Sequence, residues 1–277
     1  MVSTLNMVLM LVCVVVGIAA AAVPYLMISR RSSALETGLP GAFGYGVLGY
    51  VWQYVFYIFG GGVFLYRLPF WGSMNGTARE VLLNVLLTIL TTLCTVAALY
   101  WGIYLTNQKK ISIYRSATVG IGFGLGRIAL DLVYPYCHSF YFALQINGGT
   151  YHGKEELKNS IISTSSASLV SGTYKCVLML VIVLDIALIM GNYYVSKNKK
   201  MAWIYPLAVY EVIMLLNALP RLMFGNREIV AEVVVIVIYT IVAAAAGVDL
   251  YRWFKTGQIE GFEWIFRFRT GRKAKSV

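Results

Sequence analysis

The chain has 277 residues, of which 59% are hydrophobic and 13% charged, and its mean hydropathy is +0.71. Soluble domains carry about 25% charged residues, so this composition excludes an ordinary soluble globular protein. The apolar runs are long and continuous rather than alternating, which favours membrane-spanning helices over a transmembrane barrel. The sequence therefore predicts an all-α integral membrane protein.

Seven apolar runs of about 20 residues predict seven transmembrane helices. They lie near residues 5–28, 40–66, 80–105, 113–136, 173–195, 202–224 and 229–251. The second run is long enough to tilt, or to break at the glycines of positions 60–62. A weaker apolar stretch over residues 140–146 is predicted to lie at the membrane interface.

The distribution of lysine and arginine predicts the orientation. An excess of basic residues follows the first, third, fifth and seventh spans, whereas the other loops carry glutamates beside their basic residues. By the positive-inside rule, the N-terminus lies outside and the C-terminus in the cytoplasm. A secretory signal peptide is the alternative for residues 1–25, but no positive charge precedes this run and two arginines follow it.

Residues 1–251 are predicted to form the polytopic domain, and residues 252–277 a basic cytoplasmic tail. The chain carries a net charge of +11, and seven of its basic residues crowd this tail, which favours attraction to anionic lipid and not to nucleic acid. Its aromatic residues predict an amphipathic helix on the inner membrane surface, with docking of a membrane-protein partner as the alternative. The basic residues of the tail are Arg252, Lys255, Arg267, Arg269, Arg272, Lys273 and Lys275.

Two glycine patterns have different interpretations. Gly44, Gly46 and Gly49 match GxGxxG but lie inside a predicted span without a strand–turn–helix context, which argues against dinucleotide binding. The fourth span has overlapping GxxxG spacings, which predict close approach of neighbouring helices. The glycines concerned are Gly120, Gly122, Gly124 and Gly126. The four cysteines form no CxxC pair, so no disulfide or metal–thiolate framework is expected.

Ionisable residues inside the spans are costly in lipid, so each is a candidate functional residue. Arg127 and Asp131 are four residues apart and share one helix face. The predicted binding pocket opens outward and is formed by Arg127, Asp131, Asp185, Glu211, Asn217 and Glu232, with Arg221 further out. The alternative is a set of buried ion pairs that fix helix register, in which any unpaired carboxyl group is protonated.

None of the familiar sets of catalytic residues is complete in this sequence. His138 and His152 are predicted in the outer segment after the fourth span, and neither belongs to an HExxH motif. Asp131 and Asp185 could form an aspartyl pair, although their flanking residues do not support one. Serine–histidine chemistry lacks an intramembrane histidine. The sequence therefore predicts no metal site and no cofactor.

Residues 124–131 resemble a signature of the YhfC family, identified as intramembrane metalloproteases or glutamic-type proteases related to the CAAX-protease and PrsW-like superfamily. The family pattern is roughly G-x-G-H-G-G-I-E, and here Arg127 stands at the histidine position and Asp131 at the glutamate position. Residues 184–188 are similar to the family's F-H-I-A-L, with Asp185 in place of histidine.

Further positions extend the resemblance. Residues 208–211 look like the start of a second histidine motif with Glu211 at the histidine position, and Glu232 matches a glutamate near the start of the last span. The family's upstream glutamate pair and arginine fall on Leu99, Tyr100 and Ile103. The resemblance thus implies that base and metal ligands are lost together, leaving a non-catalytic descendant in a bacterial plasma membrane.

Three hypotheses follow. The first is a non-catalytic scaffold or binding protein whose outward polar pocket takes a peptide, a lipid head group or a cation. The second is an active intramembrane hydrolase in which Asp131, Asp185, Glu211 and Glu232 hold a hard cation through oxygen ligands. The third is a small transporter or permease subunit that works with a partner.

Overall fold

The computed structural model describes residues 1–31, 38–64, 67, 76–108, 112–196, 199–224 and 228–256. Every regular element in this part of the chain is helical, which confirms the predicted all-α class. Two π-helical segments interrupt the α-helices: Tyr57–Phe64 continues the second helix, and Ala129–Val133 joins the fourth to the fifth. The α-helices are α1 (Thr4–Arg31), α2 (Leu39–Phe56), α3 (Gly76–Thr106), α4 (Ile113–Ile128), α5 (Tyr134–Asn147), α6 (Glu155–Ser163), α7 (Ser166–Val195), α8 (Lys199–Phe224) and α9 (Glu228–Thr256).

Five helices of the described chain are long and apolar enough to cross a membrane, so the chain has the character of a multi-pass membrane protein. They are Thr4–Arg31, Val81–Thr106, Ile113–Asn147, Ser166–Val195 and Ile229–Thr256. Helices also occupy the predicted second and sixth spans, as α2 with its π-helical continuation and as α8. The count of seven spans and the orientation stay predictions.

The helix of the fourth span continues beyond the predicted span. It runs on from Ile113 through the π-helical segment to Asn147, well past residue 136. Its last turns contain residues 140–146, where Ala143 is fully buried with Val2 and Ile161, and the interfacial position of this stretch stays a prediction. The Asn147 side chain also holds the start of the chain, accepting from the Val2 N–H at 2.8 Å and donating to the Val2 carbonyl at 3.0 Å.

Helix α4 lies at the centre of the bundle, with 12 of its 16 residues buried. Its glycines allow two neighbours to approach closely on different faces. A Cβ atom on Gly120 would lie 2.6 Å from the Ala187 Cβ atom of α7, and one on Gly122 would lie 2.1 Å from the Phe43 carbonyl oxygen of α2. The close helix approach predicted from the GxxxG spacings is thus confirmed.

The two ends of the bundle are distinct. At the end that contains α6, the Asn6 side chain donates to the Thr164 carbonyl and accepts from the Ser166 hydroxyl. At the opposite end, Trp253 of α9 packs against Tyr114 of α4, with ring centroids 5.5 Å apart.

The predicted boundary between domain and tail falls inside a helix. Helix α9 passes residue 251 and reaches Thr256, and Trp253 is only 3% exposed. The first residues of the predicted tail therefore belong to the bundle. The rest of the tail, residues 257–277, lies outside the described residues.

Candidate functional site

A polar cavity of about 260 Å³ lies between α2, α3, α4 and α8. Two of the predicted pocket residues, Arg127 and Asp131, line this cavity. Its walls combine aromatic, amide, hydroxyl and charged side chains. The lining residues are Tyr50, Gln53, Tyr54, Tyr57, Thr91, Arg127, Asp131, Tyr210 and Met214.

The α2 wall of the cavity follows from helical spacing. Tyr50, Gln53, Tyr54 and Tyr57 are three, four and seven residues apart and so lie on one face. Gln53 is 8% exposed, and its Oε1 atom makes no hydrogen bond to any described residue. Buried polar groups in proteins are normally hydrogen-bonded. Gln53 therefore lines the cavity and has unused hydrogen-bonding capacity at its buried oxygen.

The charged wall is an ion pair on the α4 side. The Arg127 Nε atom lies 3.3 Å from the Asp131 Oδ2 atom, and the two side chains are 22% and 30% exposed. The Tyr50 hydroxyl donates a hydrogen bond to the same Oδ2 atom at 2.7 Å. Within the described chain, the Arg127 Nε atom has no hydrogen-bond acceptor of good geometry. The ion pair is held in place by Tyr50, but the Arg127 Nε–H group keeps unused hydrogen-bonding capacity.

Both π-helical segments border this cavity. Asp131 lies on the segment that follows α4, and Tyr57 is the first residue of the segment that follows α2. A π-helical turn is rare and frequently marks a functional site, because it re-aims side chains within an otherwise regular helix. Two such segments at one cavity support its assignment as the candidate site.

Tyrosines surround the guanidinium. Tyr210 is 1% exposed and Tyr239 is 5% exposed, and both lie within electrostatic range of Arg127. The Tyr50 ring meets Phe123 edge-on, with centroids 5.2 Å apart, which fixes the ring that carries the bonding hydroxyl. The arginine therefore lies among tyrosine rings and one carboxylate.

Among the described residues, the predicted Asp185, Glu211 and Glu232 do not line this cavity. Asp185 is 1% exposed and lies within electrostatic range of Asp249 of α9. Glu232 of α9 forms an ion pair with Lys175 of α7 and accepts a hydrogen bond from Ser171 at 3.3 Å. Glu211 is half-buried, one position beyond Tyr210. The side chains of Asn217 and Arg221 lie outside the described residues.

One residue of α7 also lies near the cavity pair. Cys176 lies within electrostatic range of Arg127, Asp131 and Lys175. The structure thus brings together Arg127 and Asp131, pairs Glu232 with Lys175, and gives Asp185 a different neighbour. The residues of the predicted binding pocket therefore lie at several places along the bundle and interact with different partners.

Sequence reasoning missed four residues that matter here. Lys175 and Asp249 are ionisable residues inside predicted spans, and the rule that selected Arg127 would also have found them. Gln53 is a polar residue in the second span, and its helical spacing with Tyr50 was a usable signal. Only the fold, however, shows that these α2 residues face Arg127.

His138 was predicted in the outer segment after the fourth span. The structure places it on α5, with its ring centroid 5.8 Å from that of Tyr134 and 4.3 Å from that of Phe142. Among the described residues, no three His, Cys, Asp or Glu side chains are grouped closely enough to hold a metal ion. The four cysteines are free thiols, buried at Cys13 and exposed at Cys137.

No family model matches this chain, and neither a curated protein nor a solved structure is significantly similar to it. The resemblance to the YhfC family therefore stays a prediction from the sequence. At the positions of that family's glutamate pair and arginine, Leu99 and Ile103 are fully buried parts of the hydrophobic core.

Proposed function

We propose that this chain is a non-catalytic, multi-pass membrane protein that binds a small polar molecule, or the polar group of a larger one, in the cavity at Arg127 and Asp131. The observation that carries the proposal is the cavity itself, which is lined by the Arg127–Asp131 ion pair and by Gln53, whose buried Oε1 atom has no hydrogen-bond partner in the described chain. Such an atom costs about 1–3 kcal/mol when it is left unsatisfied. A bound ligand would remove that cost.

The distribution of carboxylates supports binding over hydrolysis. The hydrolase hypothesis requires Asp131, Asp185, Glu211 and Glu232 to reach one hard cation through oxygen ligands. Here Asp131 is engaged by Arg127 and Tyr50, Glu232 is engaged by Lys175, and Asp185 is buried beside α9. An enzyme using all of these carboxylates would have to separate two ion pairs before it could assemble its site.

The proposed orientation gives the cavity an outward position. With the N-terminus outside, the fourth span (residues 113–136) runs from the cytoplasm outward, which puts Arg127 and Asp131 in its outer half. The ligand is then taken from the outer side of a plasma membrane. The basic residues beyond the bundle attract anionic lipid at the inner surface.

Thiol labelling tests whether the cavity admits a ligand from water. In a chain whose native cysteines are replaced by serine, Thr91→Cys should react with a small charged methanethiosulfonate, because Thr91 lines the cavity. Leu99→Cys on the same helix is the matched control, since Leu99 is fully buried. If Thr91→Cys resists the reagent as completely as Leu99→Cys, the cavity is closed to polar molecules and the proposal fails.

A further inference from the structure

We infer that the ligand of the Arg127 cavity is a zwitterion, a molecule that carries an anionic group and an ammonium group a short distance apart. The inference rests on the proposed binding function and specifies its substrate class. Such a molecule can be a free amino acid or the phosphoethanolamine head group of a lipid. Both carry an anionic group and an ammonium group, the two kinds of group that the cavity can bind.

Arg127 provides the anion-binding half. A guanidinium has five N–H donors in a planar fork that fits a carboxylate or a phosphate. Arg127 donates no hydrogen bond to any described residue, and its only charged contact within that part of the chain is the Nε approach to Asp131. Its side chain lines the cavity. The remaining N–H groups can therefore point at an anionic group inside it.

Asp131 and the tyrosines provide the cation-binding half. The Oδ2 atom of Asp131 is used by the Tyr50 hydroxyl and by Arg127, whereas Oδ1 accepts no hydrogen bond from the described residues. An ammonium group can donate to this oxygen. The rings of Tyr54, Tyr57 and Tyr210 line the same space, and aromatic faces attract cations.

Charge balance decides between a zwitterion and a simple ion. Arg127 and Asp131 cancel each other, so a lone anion or a lone cation would bring an uncompensated charge into the interior of a membrane protein. Such a charge is expensive where the surrounding dielectric is low. A zwitterion adds no net charge and pairs each of its ends with the opposite residue. The neutral Gln53 amide can then satisfy the remaining polar atoms of the ligand.

Binding of defined probes to the full chain in a non-ionic maltoside detergent tests the inference. The zwitterionic probes are glycerophosphoethanolamine and alanine, and the charge-truncated probes are glycerol 3-phosphate, acetate and ethanolamine. We expect one zwitterion to bind at least tenfold more tightly than either of its halves in isothermal titration. Arg127→Gln and Asp131→Asn should each weaken that binding at least tenfold. Glu155→Gln on the exposed α6 surface should leave it unchanged.

The possible results separate the inference from the proposed function. Preference for glycerophosphoethanolamine identifies a lipid head group, and preference for alanine identifies a free solute. If an anionic probe alone binds as tightly as the zwitterion, and does so without Asp131, the inference is overturned while the binding function stands. If no probe binds although Thr91→Cys is labelled, the inference is likewise overturned. Arg127→Lys, which keeps the charge but loses the fork, replaces Arg127→Gln if that variant does not fold.

Discussion

At the residue scale, the Tyr50 hydroxyl links α2 to the ion pair of α4. It donates to the Asp131 Oδ2 atom at 2.7 Å. Hydrogen bonds to charged groups contribute about 1.5–3 kcal/mol in soluble proteins, whereas side-chain bonds inside membranes average about 0.6 kcal/mol. We expect Tyr50→Phe to lower the free energy of unfolding by about 0.5–2 kcal/mol, measured by denaturant unfolding in detergent micelles.

Tyr45→Phe is the matched control for this prediction. Tyr45 lies on the same helix, is 42% exposed and makes no hydrogen bond to the described residues. Removing its hydroxyl should change stability by less than about 0.5 kcal/mol. Equal effects of the two substitutions would show that the Tyr50–Asp131 bond contributes no specific stability.

At the scale of helices, the contact between α2 and α4 depends on the absence of side chains. A Cβ atom on Gly122 would lie 2.1 Å from the Phe43 carbonyl oxygen, and this backbone atom cannot move aside as a side chain would. Gly122→Ala should therefore destabilise the protein by about 1–3 kcal/mol, the usual range for overpacking. Thermal unfolding of the purified protein measures this loss of stability.

Gly44→Ala tests the same change where space is available. Gly44 lies on α2, and an added Cβ atom there would have no neighbour within 4 Å. Because alanine is the better helix former by about 1 kcal/mol, we expect a neutral or stabilising effect. A loss of stability at Gly44 as large as that at Gly122 would exclude close backbone contact as the cause.

The Lys175–Glu232 pair joins α7 to α9 through two partly buried side chains, which are 23% and 33% exposed. Removing one partner leaves a charge inside the membrane region, so Lys175→Met and Glu232→Gln should each be more harmful than an average surface substitution. The double variant should recover part of the loss. We expect a coupling energy of about 0.5–3 kcal/mol from a double-mutant cycle.

The exposed Glu155–Lys158 pair of α6 gives the reference cycle. Its charged atoms lie 3.1 Å apart, but the side chains are 73% and 36% exposed. Pairs of this kind on a helix surface contribute about 0.2–0.5 kcal/mol. A coupling energy for Lys175 and Glu232 no greater than this would mean that the pair does not hold α7 and α9 together.

At the scale of the whole molecule, the orientation can be tested at the two ends of the bundle. Lys154 precedes α6 and is exposed, whereas Ser196 caps the end of α7 at the opposite end and is also exposed. In cysteine-free chains expressed in intact cells, we expect a membrane-impermeant maleimide to label Lys154→Cys. Ser196→Cys should be labelled only after the cells are opened. The reverse pattern would place the N-terminus in the cytoplasm and turn the cavity inward.

The sequence predicted much of the fold because lipid imposes a simple rule. A backbone in hydrocarbon must satisfy its own hydrogen bonds, so long apolar runs become helices irrespective of their neighbours. The GxxxG spacings in α4 were equally informative, because a missing side chain permits close approach whichever helix is opposite. The continuation of the helix past residue 136 was not predicted, because hydropathy alone does not detect that Ala143 packs against Val2 and Ile161.

The sequence by itself thus determined the membrane character, the helical class and the pairing of Arg127 with Asp131, since all three follow from composition or from spacing along one helix. Which side chains face that pair was decided only by the tertiary structure. Tyr50, Gln53 and Tyr210 come from helices far apart in the chain, and their meeting at one cavity depends on how α2 and α8 pack around α4. Local sequence carries no record of that packing, because each of these helices presents several faces that could have been turned inward.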